Sequence, residues 1–172
     1  MATAPPLLSI DEYLRTSYHP DADYVDGEIE ERNLGEFEHA TFQAAISGWF
    51  WPRRAEWAIQ LVIEQRIRVA DRRVRIADFA LLRADAPREK VTLTPPLLCI
   101  EVLSPEDRVS RAKLVLADYL AMGVSNIWLI DPLKRTAFTF DATGLHGADP
   151  TRLTVPNTPI HLDLTEAFAA ID

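Results

Sequence analysis

Leu97 to Leu103 is a near-continuous apolar run, followed by a helix-like stretch over Arg108–Met122 and a second apolar run at Val124–Ile130. A strand of such composition belongs at the centre of a sheet, covered on both faces. Strand, helix and strand in this order make a right-handed crossover unit. Gly123 is placed as the C-cap of the helix, and Asp131-Pro132 closes the second strand. This unit commits the chain to an α/β fold with a mixed central sheet flanked by helices.

The flanking sequence is consistent with that frame. Ser9 and Glu12 form a capping box opening a short helix through about Leu14. Asp26-Gly27, within Tyr24–Glu31, reads as a tight turn or a kink in a strand. His39, Phe42, Ala45, Ile46 and Trp49 recur at helical spacing, and Pro52 is expected to end that helix. Ile59, Leu61, Ile63, Ile67 and Val69 alternate with polar residues as in a half-buried strand. The turn Ala70–Arg73 joins it to a hairpin partner, Val74–Leu82. Arg135–Phe140 reads as a further strand. The tail adds a strand near Ile160–Leu162 and a helix with Thr165 as its expected N-cap.

Residues 1–172 suit one domain with a substantial core. No apolar run approaches the roughly 18–20 residues of a membrane span. The N-terminal residues lack a basic segment followed by a long apolar one, so no export signal is expected. The single cysteine, Cys99, excludes an internal disulfide and a multi-thiolate zinc site, and the expected location is cytoplasmic. A net charge of −8 provides no global attraction for nucleic acid, so any binding must use a local basic patch. Lysine is scarce: only Lys90, Lys113 and Lys134 occur among 18 basic residues.

Two acids stand where acids are costly. Period two groups Asp78 with Val74, Ile76, Ala80 and Leu82, and Glu101 with Leu97, Cys99 and Leu103. An unpaired charge buried there costs several kcal/mol or is protonated. An arginine or lysine partner, a hydrogen-bond network or a divalent cation would resolve this, and of these Mg²⁺ or Mn²⁺ is the sharper reading, since it favours oxygen ligands and takes one or two carboxylates. On neighbouring strands Asp78 and Glu101 meet about 5 Å apart at Cβ, with the Val102 carbonyl as a third ligand. The alternative is a pair of structural ion pairs, with Arg75 or Arg66 as partners.

The ordered motifs are Tyr24-Val-Asp-Gly-Glu28, Glu38-His39, Arg75-Ile-Ala-Asp78, Ile100-Glu-Val-Leu-Ser-Pro105, Tyr119-Leu-Ala-Met-Gly-Val124 and Ile127-Trp-Leu-Ile-Asp-Pro132. Together they resemble the bacterial Uma family of restriction-type endonucleases, within the PD-(D/E)XK nuclease superfamily, over nearly the whole chain. The resemblance implies a restriction-endonuclease-like core and metal-assisted hydrolysis of DNA phosphodiesters. It assigns Asp78 the role of the PD aspartate and Glu101 that of the following acid. The metal activates a water and stabilises charge on the phosphate, and a lysine normally assists.

Two departures stand out. Ala77 replaces the Pro of the PD signature, and the superfamily lysine position after the acid holds Leu103. The family places its lysine on the following helix, where this chain has Val115. Lys113 lies about 200° around that helix from Val115, and Lys113 or Arg111 reaches the acids only if the helix start is shifted.

Other candidates have two readings each. Glu28 is an acid that holds a metal-bound water, or part of a solvated face. His39 orients a phosphate or water, or packs. Gln65 lies beside the acids or is a satisfied core amide. Arg66, Arg68, Arg72, Arg73 and Arg75 bind phosphate or pair with surface carboxylates. Trp128 is core or a subunit contact. The expected activity is a Mg²⁺- or Mn²⁺-dependent DNA endonuclease, acting as a homodimer. The alternative is a catalytically impaired, dimeric interaction protein of the same fold, favoured by the acidic balance and Val115.

Overall fold

The computed structural model describes residues 7–33 and 36–172; part of the N-terminal segment read for an export signal lies outside them. Helix α1 (Ile10–Arg15) opens as expected, with the Ser9 side chain accepting the Glu12 N–H. Strands β1 (Ala22–Val25) and β2 (Glu28–Glu31) form a hairpin whose turn is Asp26-Gly27. Both turn residues have positive φ, 52° and 102°, the conformation that twists with a two-residue hairpin and favours Gly. Helix α2 (Phe37–Arg53) runs one residue past Pro52. In a last turn the missing N–H forfeits only one helical bond, so the expected stop is displaced rather than enforced.

Strands β3 (Ile59–Ala70) and β4 (Arg73–Arg83) form the long antiparallel hairpin. The crossover unit follows as β5 (Leu98–Val102), α3 (Val109–Met122) and β6 (Asn126–Asp131), with β5 and β6 parallel. Gly123 ends α3 at φ 105°, and its N–H donates to the Tyr119 and Leu120 carbonyls. Then come β7 (Thr136–Asp141), β8 (Gly144–Gly147), β9 (Arg152–Thr154), β10 (His161–Asp163) and α4 (Leu164–Ala169). Strands β8 and β9 are too short and polar to be read from periodicity. Asp163, not Thr165, caps α4, accepting the N–H groups of Thr165 and Glu166.

The main sheet runs β2-β1-β4-β5-β6-β7-β8, with β3 also on β4, and is mixed as expected. Its decisive irregularity is on one edge of β4. Residues 73 and 74 pair with β1, residues 79–81 pair with β5, and residues 75–78 between them have no strand partner on that edge. The sheet forks there.

Both faces are covered. Helices α2 and α4 with β9 and β10 pack over Phe79, Leu81, Leu98, Ile100, Trp128 and Ile130. Helix α3 packs Leu116 and Tyr119 over Ala80, Cys99, Ile127 and Leu129. Trp128 is therefore core, at 2% exposure. The expected alternation in β3 fails at Ile63, which is 55% exposed. Its neighbour Glu64 adopts φ 49°, and the Glu64–Asp78 pair is missing from the ladder, whose register also shifts between Arg68 and Ala70. No helix among the described residues is long and apolar enough to cross a membrane.

Candidate active site

The fork in the sheet creates a cleft. Phe79 pairs with Ile100 and Ala80 with Cys99, so one further step sets Asp78 opposite Glu101. The backbone ladder stops there because the Asp78 side chain takes over: Oδ2 accepts the Val102 N–H at 2.7 Å. Oδ1 accepts Arg32 Nη2 at 2.6 Å. Glu101 Oε1 accepts the Tyr119 hydroxyl at 2.6 Å, from helix α3. From the opposite layer, His39 on α2 donates its Nε2–H to the Val102 carbonyl at 2.9 Å and lies 3.9 Å from Asp78 Oδ2. Asp78, Glu101, Val102, Arg32 and His39 line one cleft of about 220 Å³, together with Glu64, Arg108 and Arg111.

The two acids are electrostatically unlike. Burial raises the pKa of Asp78, but His39, Arg32 and the Val102 N–H outweigh it and hold it below the ordinary value of 3.8. Burial and the Asp78 charge push Glu101 well above its ordinary 4.5, against the pull of Arg32 and Tyr119. Burial opposes the charged form of His39, yet Asp78 and the Val102 carbonyl raise its pKa overall. Burial and the Glu101 charge push the Tyr119 hydroxyl upward, so it stays a donor.

The donor set suits a hard cation. The two carboxylates and the Val102 carbonyl offer only oxygen donors, a partial set of the kind that Mg²⁺ would complete with water and phosphate oxygens. Among the described residues, no group of three or more His, Cys, Asp and Glu side chains is placed to hold a metal ion, so the two carboxylates would need the Val102 carbonyl, water and substrate oxygens beside them. Glu101 also lacks a full counter-charge, which is the deficit a bound cation would remove.

A family model described as "Uma2: putative restriction endonuclease" matches residues 10–169. The chain belongs to the Uma2 family. Among solved structures it is similar to the crystal structure of a "putative nuclease belonging to DUF820" from Anabaena variabilis ATCC 29413. The two superpose with a TM-score of 0.81 at 23% identity, covering 97% of this chain and 99% of that one. At that identity the likeness establishes the fold, the nuclease-like α/β architecture. No curated protein matches the chain.

In this Uma2 chain the cleft gathers five of the residues weighed from sequence: Asp78, Glu101, Val102, His39 and Arg111. It does not gather Glu28, which is exposed at the start of β2, or Lys113. Arg111, Ala112 and Val115 make the face of α3 that meets the cleft, so Lys113 is turned to solvent with Leu114. No lysine lines the cleft among the described residues.

The counter-ion of Asp78 is an arginine, but neither of those expected. Arg75, 3% exposed, is held by Asp118, Asp23 and Glu30. Arg66 donates to the Leu14 and Thr16 carbonyls and lies over the Tyr13 ring. Arg32 takes the position instead, and also pairs with Glu64. Gln65 hydrogen-bonds Thr92 and lies outside the cleft.

Arg32, Glu64 and Ser104 were not visible as site residues in the sequence. Arg32 follows the acidic stretch Glu28–Glu31 and reads as its surface partner. Glu64 is an acid beside the apolar residues Ile63 and Ile67 of β3 and reads as a solvent-facing residue. Counting back from the turn pair Ala70–Arg73 sets residue 65 opposite residue 78, and only the register shift between Arg68 and Ala70 brings Glu64 there. The Ser104 hydroxyl is buried without a hydrogen-bond partner and belongs to the cleft wall.

Proposed function

We propose that this protein is a Mg²⁺- or Mn²⁺-dependent DNA endonuclease of the PD-(D/E)XK type. The observation that carries this reading is the meeting of Asp78 and Glu101, from adjoining strands, in one cleft with their pKa values driven apart. Family membership in a group described as restriction endonucleases supports it.

Asp78, Glu101 and the Val102 carbonyl would hold the metal, which when bound supplies Lewis-acid stabilisation of the phosphate and lowers the pKa of a bound water. The chain's own residues do the rest. Tyr119 fixes one oxygen of Glu101 so that the other faces the cleft. His39 fixes the Val102 carbonyl and helps keep Asp78 ionised. Arg108 and Arg111 on the α3 side of the cleft provide the local positive charge that a chain of net charge −8 needs to meet DNA.

The test is plasmid nicking by highly purified protein in Mn²⁺. Wild type nicks and Asp78→Ala does not. Equal nicking by both identifies a contaminant and refutes the assignment. A second reading, a catalytically impaired dimeric interaction protein, is favoured by one specific feature: a cleft without lysine, with Arg32 on the metal-binding aspartate. A wild-type protein that never nicks DNA in Mg²⁺ or Mn²⁺ supports it.

A further inference from the structure

Among the described residues, Arg32 is the one arginine or lysine paired with either acid. Its Nη2 lies 2.6 Å from Asp78 Oδ1, while Nη1 pairs with Glu64 on the facing strand. The other Asp78 oxygen is engaged by the Val102 backbone N–H at 2.7 Å. Oδ1 is thus the oxygen a metal ion would use, and a guanidinium already holds it. A divalent ion and a guanidinium on one carboxylate oxygen repel each other strongly in a partly buried site. They compete.

The second anchor decides where the guanidinium goes. Glu64 is on the cleft wall with its side chain 42% exposed, whereas Asp78 is 3% exposed. A guanidinium that leaves Asp78 but keeps Glu64 stays at the cleft, with donors freed toward its interior. A phosphate diester is the anion that suits such a fork. Arg111 is less free, since its Nη2 donates to the Glu31 carbonyl.

We propose that Arg32 is a built-in competitor for the divalent cation, holding Asp78 in the metal-free protein and moving onto a DNA phosphate when the metal takes Asp78. This rests on the metal-dependent reading above, and it makes metal and DNA binding mutually reinforcing: each ligand draws one partner out of the Arg32–Asp78 pair.

The experiment titrates Mn²⁺ alone into wild type, Arg32→Gln, Arg32→Lys and Asp78→Asn by calorimetry, without DNA. Arg32→Gln binds Mn²⁺ roughly 10- to 100-fold tighter than wild type, the worth of one charged hydrogen bond. Arg32→Lys, which keeps the charge but not the fork, lies between. A labelled DNA duplex then reports by anisotropy, with Ca²⁺ as the ion: Ca²⁺ strengthens DNA binding several-fold in wild type and less in Arg32→Gln. Equal or weaker Mn²⁺ binding by Arg32→Gln than by wild type overturns the competition and leaves the nuclease reading standing. Absence of Asp78-dependent heat in every variant overturns both. If Arg32→Gln does not fold by circular dichroism, Arg32→Lys decides: an affinity unchanged from wild type overturns the proposal.

Discussion

Replacing Glu101 by Gln should stabilise the metal-free protein while disabling its metal site. Glu101 faces Asp78 across the β4–β5 register, a separation of about 5 Å at Cβ. Two charges at that distance repel by about 3 kcal/mol at an effective dielectric of 20. The attraction of Arg32 and the charge-assisted bond from Tyr119 offset part of this, leaving about 1–2 kcal/mol gained by a neutral amide. Burial and Asp78 raise the Glu101 pKa in the folded state above the ordinary 4.5. The folded protein therefore binds the proton more tightly than the unfolded chain. The stability this contributes is complete below pH 4.5 and is lost as pH rises through the raised folded value. Gln has no such loss, so the advantage of Glu101→Gln is small near pH 5 and grows toward pH 8. For a chain of this length about 1–2 kcal/mol raises Tm by about 2–8 °C. Thermal denaturation in EDTA across pH 5–8 measures it, and added Mn²⁺ should stabilise wild type only. A variant less stable than wild type at pH 8 in EDTA, or an increment independent of pH, refutes the electrostatic account of the pair.

Two further substitutions test the supports of the cleft. Arg75→Met removes the cation shared by Asp23, Glu30 and Asp118, leaving buried Asp23 without its paired arginine and Asp118 with Arg73 alone, so stability should fall by about 3–5 kcal/mol, read from the urea midpoint; a loss below about 1 kcal/mol would show that water screens the network. Tyr119→Phe deletes the donor to Glu101 and should weaken Mn²⁺ binding by about 10-fold or more in calorimetry. Unchanged affinity would show that Tyr119 does not orient the acid.

Much of the site was legible because its logic is local. Strand parity groups Asp78 and Glu101 each with one face of its strand, and a hairpin next to a buried crossover strand makes those faces adjoin. Lys113 illustrates the same reasoning from the other side, since helix geometry alone separates it from Val115. The expectation that the acids lean toward a metal rather than toward arginine was too simple: Asp78 has an arginine partner, from an unexpected place. His39 was legible as a candidate, but not its bond to the Val102 carbonyl from across the sheet. Glu28 lies outside the cleft because it sits at the turn end of the β1–β2 hairpin, opposite Val25, while the open end of the same hairpin brings Asp23 and Arg32 to the cleft.

By itself the sequence determined the crossover unit at Leu97–Ile130, a turn or kink at Asp26-Gly27, the α3 C-cap at Gly123, and the presence of two acids at apolar strand positions. These follow from turn chemistry and from periods of 2 and 3.6, which act between near neighbours. Only the tertiary structure decided that β4 forks between β1 and β5, that Glu64 turns into the cleft, and that Arg32 crosses 46 residues of sequence to hold Asp78. The physical reason is that a counter-ion is chosen by where distant segments pack and how far water is excluded there, and no short-range pattern encodes either quantity.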